Sequence, residues 1–437
     1  MLISAFCWSA SADAHFTKPR EATTNKHRVL DVDIDVGNRG HVVIAWLERR
    51  SSRNGLVALA RVKRPGDSGV GPAVRLGPAG VGGIEVEIGA GGLAVVTWPG
   101  RDGYLRYATS RPRSAWTSPQ TIEGLPANDA VLSVGSDGTA IAGRVEVRGV
   151  NDPNARVLAA TRMPGSGGFS PWRIVSTDPE TVGFDLDVVA RTEGRGTVAW
   201  SGTCANSGSG NPAYYVDLDG NGQTTPVELS NSRCTVWGLD LESDRLGRQY
   251  LKIGTWTGLR LAVREPGSPF PPMSSVTDTY RSANGDLSVS PNGRMTLIWT
   301  KATGGGHPTA YQYIRANGGG EPSPVRTMKG VRMNPKKVRD VLLDSAALPN
   351  GNLVNLWTRT WTDSGHRFRH TFGLRPWHPG SRFERPRYRF AIPRRVTPMP
   401  AMVDTAPDGS QLAWWKEEND RGWTTRVRYT VASWRGN

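Results

Sequence analysis

The sequence predicts an all-β protein folded as a single closed β-propeller of eight four-stranded blades across 437 residues. Three observations lead there. One hairpin-like pattern recurs eight times, tryptophan ends the second run of most copies, and a strand that the last copy lacks stands at the N-terminus.

The hairpins come first because they set the repeat. "LDVDIDVGNRGHVVIAWLERR" (30–50), "GIEVEIGAGGLAVVTWPGRDG" (83–103) and "GDLSVSPNGRMTLIWTK" (285–301) each hold an alternating apolar run, a glycine turn and a second run. Five further copies begin at 129, 183, 236, 341 and 401. Alternation on both sides of Asn-Gly, Asp-Gly or Gly-Gly marks a β-hairpin. Trp46, Trp98, Trp200, Trp299, Trp357 and Trp415 occupy one position near the end of the second run.

A third strand follows each hairpin, as in "GLVALARVKRPG" and "GYLRYATSRPR". A fourth segment carries Pro72, Pro119, Pro171, Pro226, Pro272, Pro324 or Pro386. Proline cannot donate to a ladder, so this strand belongs at an edge. The eighth copy ends at Asn437 without one, and "HFTKPREATT" (15–24), with Pro19, is the missing piece. The N-terminal strand is therefore expected to close the last blade, which hides the open sheet edges of a linear array.

Residues 1–14, "MLISAFCWSASADA", form a short apolar run with small residues at A-x-A spacing, a signal-peptide pattern that lacks the usual basic start. The propeller then comprises 15–437, and the expected location is secreted or cell-envelope associated. Cleavage would remove Cys7 and leave Cys204 and Cys234, placed by the layout on one face and expected to form a disulfide. No window of 18 apolar residues predicts a transmembrane helix.

These repeats resemble the secreted propellers of bacteria, broadly the sialidase-like and repeat-lectin group. The resemblance is one of architecture and covers nearly the whole chain. "SVSPNGRM" (288–295) and "SVGSDGTA" (133–140) match the turn of that group's Asp-box without its Thr-Trp pair, and fall between first and second strands. "FAIPRR" (390–395) has Ala391 where sialidases place an arginine before Ile-Pro.

The formal charge of +15 directs attention to anionic partners. Loops leading into blades 7, 8 and 1 and a loop of blade 1 carry Lys329, Arg332, Lys336, Lys337, Arg339, Arg394, Arg395, Lys26, His27, Arg28, Arg49, Arg50 and Arg53. In a closed ring these form one positive arc suited to planar anionic groups. Trp256, Trp361 and Trp423 are candidates for stacking on a sugar ring. Glu417, Glu418 and Asp420, or His366 and His370 beside Arg367 and Arg369, offer acid–base chemistry without forming a coherent catalytic set. "DVDIDVGNRG" and "DLDGNG" are rich in oxygen ligands, but alternation along a strand makes a poor calcium cage. Neither a metal nor a cofactor is expected.

The sequence points to a monomeric exported binding or scaffolding module for an anionic glycan or cell-wall polymer. The alternative is a glycoside hydrolase or polysaccharide lyase with its site at the channel mouth. A protein-binding platform comes third and nucleic acid last.

Overall fold

The computed structural model describes residues 17–18, 20–23, 27–51, 55–127, 129–146, 155–176, 185–202, 213–219, 225–229, 236–255, 258–277, 285–302, 308–318, 320–331, 333–334, 338–362, 368–382, 388–391, 397–418 and 424–432. They form eight antiparallel sheets, seven with four strands and one with five, and the only helical turn among them is Asn38–Gly40. None of the described helices is long and apolar enough to cross a membrane.

Each sheet is a meander, and a separate apolar core fills every gap between neighbouring sheets. Val43, Leu47 and Ala58 of the first sheet meet Val86, Val96 and Trp98 of the second. The repeating tryptophans sit in these gaps. Trp46, Trp98, Trp200, Trp299, Trp357 and Trp415 are at most 3 % exposed, which makes them the bulk that keeps adjacent sheets apart. In the third sheet Arg144 takes the tryptophan's place, with its guanidinium 5.1 Å from the ring centroid of Trp172.

The last gap closes the ring: Val32, Ile34 and Trp46 of the first sheet pack with Leu412, Trp414 and Tyr429 of the eighth. That eighth sheet is completed from the far end of the chain, with Arg20 opposite Tyr429 and Glu21 opposite Arg428. Thr17 N–H donates to Val431 O (3.1 Å), Ala22 N–H donates to Val427 O (2.8 Å), and Ala22 is fully buried in the closing core. The displaced N-terminal strand is thus in place as the outer edge.

Proline-bearing segments lead into short outermost strands, such as Gln120–Thr121 and Arg326–Thr327. Innermost strands are Arg28–Gly37, Glu85–Ile88, Val131–Val134, Leu186–Ala190, Val236–Ser243, Gly285–Val289, Val338–Ala347 and Thr397–Thr405. In the seventh sheet Met333–Asn334 adds a fifth strand, paired with the first residues of Val338–Ala347.

Candidate functional site

Alternation decides what the innermost strands present. In Arg28–Gly37 the buried Val32, Ile34 and Val36 enter the closing core, so Asp31, Asp33 and Asp35 point the other way. The other way is toward the second sheet, and because this strand is the inner edge of its sheet, Asp33 and Asp35 border the central channel there. Asp33, Asp35, Glu85, Glu87, Asp187, Asp240, Glu242, Asp286, Asp344 and Asp404 line a cavity of about 550 Å³ whose wall carries no Lys, Arg or His among the described residues.

Most of these carboxylates are hydrogen-bonded across the gap between sheets. Asp33 accepts the N–H of Ile34 (2.9 Å) and of Val86 on the second sheet (2.7 Å). Asp31 accepts Ile84 N–H (2.9 Å), and Asp35 accepts the N–H groups of Val36 and Ile88. The device repeats at Asp187, which accepts Val188 and Leu241 N–H (both 2.8 Å), and at Asp344, which accepts Ser345 (2.9 Å) and Val403 N–H (2.7 Å). In the third sheet Ser133 does the same work, its hydroxyl accepting Ala190 N–H (3.0 Å). The inner strand of a propeller blade has an unpaired edge, and these side chains satisfy it.

Burial pushes the ring's carboxyl groups upward. Asp33 rises to about 6 against the pull of its two backbone donors. Asp187 and Asp286 rise to about 7 for the same first reason. Asp35, Glu85, Glu87, Glu242 and Asp344 lie well above the ordinary carboxylate range, through burial and then through neighbouring carboxylates. Two lysines offset part of this charge. Lys252, 2 % exposed, stands 2.8 Å from Asp240 and donates to Gly238 O (3.2 Å) and Gly285 O (3.0 Å), while Lys416 is 3.2 Å from Asp31.

For Asp33, Asp35, Asp187 and Asp344 this arrangement fits cohesion better than bond cleavage. A glycosidase needs one carboxyl free to give a proton and another free to attack or activate water. Asp33, Asp35, Asp187 and Asp344 each already hold two backbone amides, and withdrawing one would orphan a strand N–H. No group of three or more His, Cys, Asp or Glu among the described residues is placed to hold a metal ion.

The residues chosen from sequence fare differently. Arg49 and Arg50 are exposed as expected, but the strand His41–Ser51 runs through them, so they lie on a sheet end and not in a loop. Arg50 Nε is 3.3 Å from Glu48 Oε1, which satisfies part of its charge. Arg339 also lies in a strand, paired with Met333 and Thr360, because the expected loop folds into a tight hairpin. Trp361 pairs through its backbone with Val338 and Arg369. Glu417 and Glu418 lie in the strand Gln411–Glu418 and not in a loop, and His370 lies in Phe368–Trp377. Lys336, Lys337, Arg394, Arg395, Trp256, Trp423, Cys204 and Cys234 lie outside the described residues, as do His366, Arg367 and Asp420.

The acidic ring is absent from the candidates that the sequence suggests. Its signal is nonetheless there: an Asp or Glu on the first run of seven of the eight repeats, at the same side of the alternation.

No family model matches the chain, and no curated protein matches its sequence. Its structure is similar to a prolyl endopeptidase (12 % identity, TM-score 0.45), with 90 % of this chain and 55 % of that one covered, so the chain spans about half of that protein's length. It is similar to the NanB sialidase of Streptococcus pneumoniae (11 % identity, TM-score 0.37), with 94 % and 69 % covered. A third likeness is the BP39L lectin of Burkholderia pseudomallei (11 % identity, TM-score 0.43), with 80 % and 97 % covered. Likenesses this distant carry no weight for function. The chain is an all-β propeller that loosely resembles the sialidase-like and lectin propellers.

Proposed function

We propose that this chain is an exported binding propeller that holds an anionic polysaccharide or another acidic polymer of the cell envelope. Segregation of charge supports the reading. The chain has 54 Lys and Arg against 39 Asp and Glu, and ten of those carboxylates are turned into the channel. The outer surface therefore carries an excess larger than the formal +15. A surface of that sign concentrates polyanions and accelerates their capture. The alternative enzymatic reading draws less support, because four of the channel's aspartates, Asp33, Asp35, Asp187 and Asp344, each already accept two backbone donors.

Retention on immobilised polygalacturonate and heparin, with neutral dextran as reference, tests the reading. Retention on both acidic matrices in low salt, lost by roughly 0.5–1 M salt as screening shortens to a few ångströms, is the expected outcome. Changing Lys336, Lys337, Arg394 and Arg395 to Ala tests whether the sequence-derived arc contributes. Elution together with the dextran reference at low salt would reject polyanion binding.

A further inference from the structure

The hairpin-turn side of the first two sheets holds a second charged feature. Arg39, Arg64, Arg111 and Arg113 line one open cavity of about 950 Å³. All four are exposed, and none of their guanidinium groups is in an ion pair among the described residues, although the Asp408 carboxylate accepts the backbone N–H of Arg39. Asp67 is the one carboxylate on this wall, and it is held locally by the backbone N–H of Arg64 (3.1 Å).

Two details distinguish this cavity from a solvated basic rim. The first is His41, which lines it while only 2 % exposed and whose buried Nδ1 has no hydrogen-bond partner. A polar atom left unsatisfied in the wall of a binding cavity is one a ligand could complete, directly or through water. Burial holds this imidazole down to about 4, so it is neutral at pH 7. The second is Arg39, whose φ of 61° is a left-handed conformation that glycine or asparagine adopts more cheaply. The turn nonetheless places an arginine at its tip.

The cavity continues outward. Arg64, Asp67, Pro112 and Ser114 also line a neighbouring cavity of about 480 Å³, walled by Trp116 and Pro119. Trp116 is partly buried against the core of the first two sheets, and its buried Nε1 has no partner. Arginines that bind planar anionic groups, followed by an indole that stacks on a pyranose ring, match the alternating chemistry of a charged glycan.

We infer that this groove between the first two sheets is the anchoring site for an anionic polysaccharide, with acidic groups on Arg39, Arg64, Arg111 and Arg113 and a sugar ring against Trp116. The inference rests on the polyanion-binding reading above, and assigns it a place on the face opposite the expected arc.

The test is titration calorimetry of the full chain with oligomers of heparin and of polygalacturonate at about 0.1 M salt. Arg111→Gln with Arg113→Gln removes two exposed charges, and thermal unfolding confirms that the variant folds. A fall in affinity of tenfold or more, with a shallower dependence on salt, is expected. Stronger loss with heparin points to sulfate as the recognised group, and stronger loss with polygalacturonate points to carboxylate. Arg39→Gln, at the turn tip, provides an independent second variant with the same expected direction. Wild-type binding that both variants retain in full overturns this site and leaves the polyanion reading standing. No binding by the wild type overturns both.

Discussion

Raising the pH from 5.5 to 8.5 should destabilise this propeller, through the acidic ring. Asp187 and Asp286 are raised to about 7 and Asp33 to about 6, each first by burial. In the unfolded chain such groups lose their protons near pH 4. Between those values the native state binds more protons than the unfolded state, so the stability these three groups contribute falls as pH rises through the window and levels off near pH 8. One pH unit between the native and unfolded midpoints of a group is worth about 1.4 kcal/mol. From pH 5.5 upward, Asp187 and Asp286 would each lose about 2 kcal/mol and Asp33 below about 1, if fully dry. The channel opens to solvent and the carboxylates are half-buried, so about half of that survives screening, roughly 2–3 kcal/mol from these three groups, and the other raised carboxylates of the ring add in the same direction. For a chain of this size that is a Tm lower by about 2–3 °C at pH 8.5. Lys and Arg keep their charge across the range, so the outer surface changes little. Differential scanning calorimetry of the wild type and of Asp187→Asn separates the two contributions. The variant should lose about 1 kcal/mol of the pH dependence. Parallel pH profiles for the two proteins, or a wild type that gains stability toward pH 8.5, would refute the argument.

Three further outcomes are expected. Removing residues 1–23 takes away Ala22 and the hydrogen bonds of Thr17 and Ala22 to the edge of the eighth sheet; about 3–5 kcal/mol should go, and the bared edge should drive oligomers visible by size-exclusion chromatography. Lys252→Met leaves Asp240 and the carbonyls of Gly238 and Gly285 without their cation, at a cost of about 3–5 kcal/mol in urea unfolding, and adding Asp240→Asn should return part of it. Trp357→Ala opens the gap where the indole meets Tyr311 edge-on at 5.3 Å, and should cost about 3–5 kcal/mol by the same measurement.

The fold is legible in the sequence because its signals are local and repeated. Glycine turns mark the hairpins, prolines mark the outer edges, and the unmatched segment around Arg20 and Glu21 has one vacant edge to fill. The ring of acids is less legible for a physical reason. On an open sheet, alternating Asp31, Asp33 and Asp35 mark a face turned to bulk water. Only ring closure sets the inner edges of those faces around a shared channel, and closure is a property of all the sheets together. The cationic residues mislead in another way. Arg49, Arg50 and Arg339 look like loop residues because the runs around them lack alternation, yet strand pairing extends through both runs. Arg111 and Arg113, in the short string "RPR", carry no signal of their own, since they lie away from the face where propeller ligands are expected.

Cohesion and the proposed binding groove meet at the first two sheets. The first sheet contributes three successive carboxylate links to the second, from Asp31, Asp33 and Asp35 to the N–H groups of Ile84, Val86 and Ile88. Asn38 adds a fourth link, its side-chain amide donating to Ala90 O (2.8 Å) beside the arginine groove. Asp185 and Asp187 make two such carboxylate links from the fourth sheet to the fifth, and Asp344 makes one from the seventh to the eighth. A groove that spans two independent sheets would flex with every shift of one against the other, and ordering it on binding would cost affinity. Stitching those two sheets along their inner edge removes that freedom before the ligand arrives. The carboxylates on the inner strand of the first sheet thus hold in register the two sheets that the proposed arginine groove spans.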